Sequence, residues 1–432
     1  MGPHRILQNR KGYVTETVYD AASGRFTDRP FPSPNTRMTQ APSRPSPDPT
    51  ADAMQQTLTS VEARMINAHA SHLGYPYNLT QGAGAPPGLA RFLINNLGDP
   101  YVGSHYASEA CDLEREVIDW MKRLWDCDDP ANFWGSVGAS GTEGNLWAMY
   151  LGREALPKAT LIHSAEAHYS IPKAARILRI RTESVACTPD GAIDLDALSQ
   201  VLARQKPGHG VILALTCGTT VKGAHDDIAG AVARLEAAGF PAKHRFVHVD
   251  GALNAMVLPF LDGVDPRLCP SFRHGIDSIS TSGHKMIGCP MPCGILVARR
   301  SHVARVSRAV AYLRSDDTTL MGSRNGHAVI DLWVRLFSHG DEGFHRDTTA
   351  CLHRAHWLAD ALRMAGVPVL HNPHALTVLF PEPDQHIVRH YQLSCANGQA
   401  HAIVMPNVTQ ERAGFFAADY LRWWTKRCTL DA

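Results

Sequence analysis

Apolar positions are sparse and without period along the first fifty residues. The stretch RPFPSPNTRMTQAPSRPSPDPT is rich in Pro, Ser and Arg and poor in large apolar side chains. Such a segment buries too little surface to offset its ordering entropy, so residues 1–50 are expected to form a flexible or extended arm. From Ala51 the pattern turns helical through MQQTLTSVEARMINAHASHL, breaks at the Gly/Pro-rich loop GYPYNLTQGAGAPPG and resumes as a second helix in LARFLINNL. Residues 51–100 therefore read as an N-terminal helical segment. In SEACDLEREVIDWMKRLW the apolar positions Leu113, Val117, Ile118, Met121, Leu124 and Trp125 recur at helical spacing. Acids come early and bases late, as the helix dipole favours.

The middle of the chain alternates. The short apolar runs ATLIHS, VILALTCG, RFVHVDGA and SISTSG read as buried strands, and the helical stretches IPKAARIL, LDALSQVLARQ and IAGAVARLEAAG separate them. Strand–helix alternation of this kind predicts an α/β fold with a mostly parallel sheet covered on both faces. Beyond residue 330 helices dominate, with strand patterns in LTVLFP and HAIVMP. The expected organisation is a large domain over 101–330 and a small α+β domain over 331–432, without internal repeats.

Composition narrows the class. A net charge of +1 provides no electrostatic footprint for nucleic acid or an anionic membrane. No stretch approaches the roughly 20 apolar residues of a membrane span, and the N-terminus MGPHRILQNRKGYV lacks the apolar core of a signal peptide. Ten scattered cysteines in such a chain point to reduced thiols and a soluble cytoplasmic protein. The closest pair, Cys289 and Cys293 in GCPMPCG, lacks further ligands at metal-binding spacing, so a buried turn is preferred to a zinc site.

Candidate chemistry lies in four features. GASGTEGN, residues 138–145, opens a helical run, and small residues at a helix start bring backbone N–H groups close to an anion. A tight turn would look the same. HYS follows a strand, so His168 could stack on a flat ring or cap a helix. Asp250 in HVDGAL ends a buried strand, where a carboxylate needs a partner; a protonated pyridine nitrogen is one, a structural pair another. Lys285 in STSGHKM ends another apolar strand, a costly place for an amine unless it is paired or used covalently. Ser282 and His284 beside it can hydrogen-bond a phosphate. Each feature is ambiguous alone. In the order phosphate loop, ring-stacking histidine, strand-end aspartate and lysine they point to pyridoxal 5'-phosphate (PLP) held as a Schiff base. No GxGxxG opening a strand–helix unit, GxxxxGK[ST] or GxSxG motif competes.

The same residues resemble the group II PLP-dependent amino-acid decarboxylases of fold type I, most nearly their histidine and serine decarboxylase branch. The resemblance runs from about Leu73 to Thr409 through GYPYNL, INNLGDPY, EREVIDW, SGTEGN, HYSIPKAAR, GTTVKGAHDDI, HVDGAL, SGHKMIGCPMPCGI, GSRNGH and VMPNVT. It implies an aspartate-aminotransferase-like fold. It also implies that Lys285 is the Schiff-base lysine, Asp250 the pyridinium partner and His168 the stacking histidine. Ser140, Gly141, Thr142, Ser282 and His284 match phosphate contacts, and Thr219 lies near the cofactor. AYLRSDDTTLMGSRNGH resembles a mobile segment that reaches a neighbouring subunit's site. There Ser323 would contact phosphate and Tyr312 would donate a proton, although a packing tyrosine fits equally. A homodimer with shared active sites follows.

Two positions depart from the pattern. ASGTEGN replaces NGGTEGN or NCGTEGN, and Asn254 replaces a small residue, both near the expected cofactor wall. The resemblance implies decarboxylation of serine, another small polar amino acid, or histidine. Decarboxylation coupled to oxidative deamination, giving an aldehyde, and a catalytically inactive PLP-fold subunit are the alternatives.

Overall fold

The computed structural model describes residues 50–80, 82 and 84–430, and before them the strands Ile6–Gln8, Val14–Asp20 and Arg25–Pro30, which pair as an antiparallel sheet. The rest of the expected N-terminal arm lies outside the described residues. The chain divides into two compact units, 1–67 and 68–432. Helix α1 (Ala51–Ser71) begins in the first and none of its residues is buried.

The second unit is built on a seven-stranded sheet. Its strands are β1 (Phe133–Gly138), β2 (Thr160–Ser164), β3 (Arg181–Val185), β4 (Val211–Thr216), β5 (Arg245–Asp250), β6 (Ser278–Ser282) and β7 (Gly294–Arg299). They are ordered β1-β7-β6-β5-β4-β2-β3. Strands β6, β5, β4, β2 and β3 pair in parallel, and β7 runs antiparallel to both its neighbours. This is the mostly parallel α/β sheet expected from the strand–helix alternation, and it agrees with the fold type I architecture that the family resemblance implied.

Period-2 side-chain alternation sends successive strand residues to opposite faces. Val211, Leu213, Leu215, Val247 and Val249 join one core with Val117, Ile118 and Met121 of helix α2 (Cys111–Leu124). Ile212, Ala214 and Phe246 join a second core with Trp147, Ala148 and Leu151 of α3 (Gly141–Ala155). Alternation therefore turns His248 and Asp250, two and four residues beyond Phe246, toward the α3 side.

Helices α4 (Ser170–Leu178), α5 (Leu195–Ala203), α6 (Ile228–Ala237) and α7 (Arg300–Val306) follow strands β2, β3, β4 and β7. Helix α8 (Gly326–Met364) spans the expected boundary at residue 330 and leads to a three-stranded antiparallel sheet of β8 (Thr377–Pro381), β9 (Ser394–Ala396) and β10 (Gln399–Ile403). Two more helices, α9 (Gln385–Tyr391) and α10 (Gln410–Leu430), complete the unit. No described helix is long and apolar enough to cross a membrane.

One expected element is different. LARFLINNL is not a helix: it forms a 3-10 turn at Pro87–Arg91 and then a short strand, Asn95–Leu97, paired with Ser323–Asn325. Phe92 and Leu93 remain exposed, so helical burial gains little there. The buried Asn96 instead accepts from the Ala110 N–H at 2.8 Å and donates to Glu114 at 2.7 Å, a tertiary gain that outweighs weak local preference.

Candidate active site

β1 passes the chain to α3 through Ala139 and Ser140. Ser140 caps the helix: its Oγ accepts from the Glu143 N–H at 3.2 Å, while the Glu143 carboxylate reaches back to the Ala139 N–H at 2.5 Å. The opening N–H groups of a helix have no intrahelical partner, and those of Gly141 and Thr142 bond none of the described residues. A Cβ on Gly141 would lie 2.5 Å from Ser282 Oγ, and one on Gly144 would lie 3.0 Å from Ser280 Cβ. Glycine at both positions lets the helix start directly against β6. Ser140, Gly141, Thr142, Ser282 and His284 thus share the wall of one cavity, a cradle of neutral donors at a positive helix end that fits a phosphate.

The same cavity, about 440 Å³, is lined by His168, Thr219, Asp250 and Lys285. Lys285 sits in a π-type turn, Gly283–Ile287, whose helical geometry is interrupted at Lys285 itself (φ −88°, ψ −114°). Burial pushes its amine below the usual lysine value, opposed by the charge of Asp250. Among the described residues no hydrogen bond or contact ion pair engages this amine. An enclosed, unpartnered amine of lowered basicity fits a residue that binds a carbonyl covalently.

Asp250 is 4% exposed. Its Oδ2 accepts from Asn145 Nδ2 at 2.7 Å and its Oδ1 from the Ala252 N–H at 3.1 Å. Both donors are neutral, and among the described residues no cation forms an ion pair with this carboxylate. That suits a charged ring nitrogen. His168 Nδ1 accepts from Ser170 Oγ at 2.7 Å, and burial lowers its basicity, with Asp250 opposing and Lys285 adding to the effect. A neutral imidazole is the form suited to lie against an aromatic ring. His284 is also pushed toward its neutral form by burial, with Nδ1 3.1 Å from the Cys293 carbonyl.

Not every candidate converges on this cavity. The Thr219 hydroxyl lines it while accepting from the Ala224 N–H at 3.0 Å. Tyr312 is 76% exposed, and Ser323 is exposed with its Oγ 3.2 Å from Asn95 Nδ2; neither lines the cavity of its own chain. Asn254, expected at the cofactor wall, does not line it either. It sits one layer behind Gly218, 2.6 Å from His225 Nε2. The described residues hold no cluster of three or more His, Cys, Asp or Glu side chains placed for a metal.

Sequence reasoning missed several wall residues. Tyr75 and Tyr77 come from the Gly/Pro-rich loop, Ser394 and His401 from β9 and β10, and Asn145 from the second turn of α3. The strands that Asn145 bonds carried a signal for a polar partner, though not for which residue it is. His248 stands two positions before Asp250 on one strand face, and Ser278, Ser280 and Ser282 alternate along a fully buried strand; polar residues at period 2 inside a core need a shared partner.

A doubly wound sheet that gathers a helix-end anion cradle, a buried carboxylate, a neutral histidine and an unpaired lysine around one cavity defines a PLP enzyme of fold type I. The chain belongs to the pyridoxal-dependent decarboxylase family, whose conserved domain matches residues 77–380; it is a PLP-dependent amino-acid decarboxylase. It is 42% identical over 368 residues to serine decarboxylase 1 of Oryza sativa subsp. japonica, covering 84% of this chain and 74% of that protein. It is 39% identical over 349 residues to histidine decarboxylase of Morganella morganii, covering 81% and 91%. L-methionine decarboxylase from Streptomyces sp. 590 shares the fold at a TM-score of 0.79 and 24% identity, with 88% of this chain and 96% of that one covered.

Proposed function

We propose that the amino acid decarboxylated is small and carries a neutral polar side chain, L-serine first and L-histidine second. One observation carries the reading: among the described residues no Lys, Arg, Asp or Glu other than Lys285 and Asp250 lines the cavity, whose remaining polar side chains include Tyr75, Tyr77, Thr377, Ser394 and His401. A substrate with a charged side chain would lose hydration there without a counter-ion. A hydroxyl or imidazole would find hydrogen-bond partners. The serine and histidine decarboxylases among the relatives support the same two candidates.

In this reading the α3 N-terminus holds the phosphate, Asp250 faces the ring nitrogen, and His168 lies on the ring. When bound, PLP supplies an electron sink conjugated to the substrate's Cα. The chain's part is orientation and electrostatics. Asp250, oriented by two neutral donors, would present its carboxylate to the ring nitrogen. The wall around Tyr75 and Tyr77 would shield the reacting carbon from water and orient the substrate. Lys285, with its lowered basicity, is the residue that would hold the cofactor covalently.

Two further proposals attach to this reading. Helix α1 exposes Met54, Leu58, Val61 and Met65 at i, i+4, i+7 and i+11, a stripe that a second copy would cover. Tyr312 and Ser323, away from their own cavity, are positioned to serve a neighbour's, so a homodimer with shared sites is the proposed assembly. Ten thiols, none in a disulfide among the described residues, favour a reducing compartment such as the cytoplasm.

The test is a panel of L-amino acids incubated with PLP-loaded protein, with CO2 and products read by mass. Ethanolamine from serine, or failing that histamine from histidine, is the expected product, lost with the visible cofactor band in Lys285→Ala. Preferred turnover of glutamate or lysine would overturn the neutral-substrate reading, and aldehyde with ammonia would establish the oxidative alternative.

A further inference from the structure

From the cavity wall a polar network runs inward, centred on Asn145, a residue 1% exposed. All four hydrogen-bonding positions of its amide are used. Nδ2 donates to Asp250 Oδ2 at 2.7 Å and to Ser170 Oγ at 2.8 Å. Oδ1 accepts from Ser280 Oγ at 2.8 Å and from His248 Nε2 at 2.9 Å. Full satisfaction of a buried amide by four separate partners fixes it in one place and one orientation.

The orientation follows from charge. An ionised carboxylate only accepts, so the amide nitrogen must face Asp250 and the amide oxygen must face Ser280 and His248. His248 then carries its proton on Nε2 and accepts at Nδ1 from Ser278 Oγ, 2.9 Å away; burial keeps this ring neutral, with a pKa lowered to about 4. On the other side Ser170 Oγ accepts a hydrogen bond from Asn145 Nδ2, and His168 Nδ1, which faces the Ser170 backbone N–H at 3.4 Å, accepts from the Ser170 hydroxyl at 2.7 Å. That leaves the His168 proton on Nε2. One uncharged amide thereby sets both the direction of the Asp250 carboxylate and the tautomer of His168.

We propose that Asn145 is a positioning residue of the decarboxylation site, coupling the direction of the Asp250 carboxylate to the orientation and tautomer of His168. The proposal rests on the reading of Asp250 and His168 as cofactor partners. Neutrality is the point. A cation at this position would compete with the ring nitrogen for Asp250, and a carboxylate would force the two acids to share a proton.

Asn145→Asp tests this, because it keeps the shape and changes the charge. With a shared proton, the introduced carboxyl can still donate to Asp250, so the PLP-loaded variant should resemble wild type at low pH. As pH rises and that proton leaves, PLP affinity should fall about 10- to 100-fold, a range known for residues that orient ligating groups elsewhere, and the visible band of Lys285-bound cofactor should decline in parallel. Wild type lacks this step. PLP affinity and band following the wild-type pH course in N145D would overturn the proposal.

Ser170→Ala tests the other arm, and decides the matter if N145D does not fold. It cuts the path to His168 and leaves the Asp250 bond, so PLP affinity should hold while kcat falls about tenfold or more at little-changed KM; unchanged kcat would refute the coupling. Asp250→Asn serves as the control on the underlying reading. If it alters the cofactor band and N145D does not, the role of Asn145 fails alone. If neither alters it, the assignment of Asp250 fails and the proposal with it.

Discussion

At the scale of single residues, the site depends on atoms that are missing as much as on those present. The start of α3 lies against β6 because Gly141 has no Cβ; an added methyl would meet Ser282 Oγ at 2.5 Å. Ser282 would have to rotate or the helix end retreat, and either change disturbs two proposed phosphate contacts at once. Overpacking of this kind costs about 1–3 kcal/mol, so Gly141→Ala should weaken PLP binding by roughly 5- to 150-fold, from about 1.4 kcal/mol per factor of ten, while the protein stays folded by circular dichroism. PLP titration followed by fluorescence checks this, and wild-type affinity in the variant would remove Gly141 from the cradle. Lys285 and Asp250 were legible in the sequence because each is a charge at the end of an apolar run, whereas His168, four residues beyond the end of β2, looked as much like a helix cap and stood out only in the order of the set. Asn145 was not. An asparagine in the second turn of a helix looks ordinary until the sheet beneath it is known to carry His248, Ser278 and Ser280.

At the scale of elements, strands β2, β4, β5 and β6 and helices α2 to α6 followed the hydrophobic period closely, because a buried sheet and its covering helices leave little freedom in where apolar residues go, whereas the edge strand β3, largely exposed at Arg181–Val185, carried no apolar pattern to read. The failure at LARFLINNL has a definite cause. The strand pair Asn95–Leu97 and Ser323–Asn325 is held by contacts far apart in sequence: Arg324 forms an ion pair with Glu114 of α2, and Glu114 also accepts from Asn96 at 2.7 Å and from the Val137 N–H of β1 at 2.8 Å. Local periodicity cannot reveal such a pairing. Both charged side chains are at most 2% exposed, so removing one leaves the other buried without compensation. Glu114→Ala should destabilise the protein by roughly 3–5 kcal/mol, read as a lowered urea midpoint, and Glu114→Ala combined with Arg324→Met should recover part of the loss. A single variant within about 1 kcal/mol of wild type, close to the error of such an extrapolation, would mean the pair is not what secures the strands.

At the scale of the whole molecule, the enzyme carries several imidazoles that folding holds neutral. Burial lowers His225, His248 and His371 to about 4, and it lowers His168, His284 and His401 in the same direction. A histidine whose folded pKa lies below its unfolded value binds more protons when unfolded, so stability is complete above about pH 6.5 and declines as pH falls toward 4. Asp226 acts in the opposite sense. Burial raises it to about 6 against hydrogen bonds from the Ile193 and Thr216 N–H groups, so the folded chain holds an extra proton between about pH 6 and 4 and gains stability there as pH falls. Each proton of difference is worth about 1.4 kcal/mol per pH unit, and the histidines outnumber the aspartate. The urea midpoint of the cofactor-free protein should therefore be lower at pH 5 than at pH 7; cofactor-free protein is the right sample because PLP binding through Lys285 has a pH dependence of its own. His225→Gln should flatten the slope by about one proton, since the variant keeps an acceptor for Asn254 Nδ2, which now lies 2.6 Å from His225 Nε2, and no longer titrates. A midpoint that rises from pH 7 to pH 5 would show that Asp226, and not the buried imidazoles, governs the response to acid.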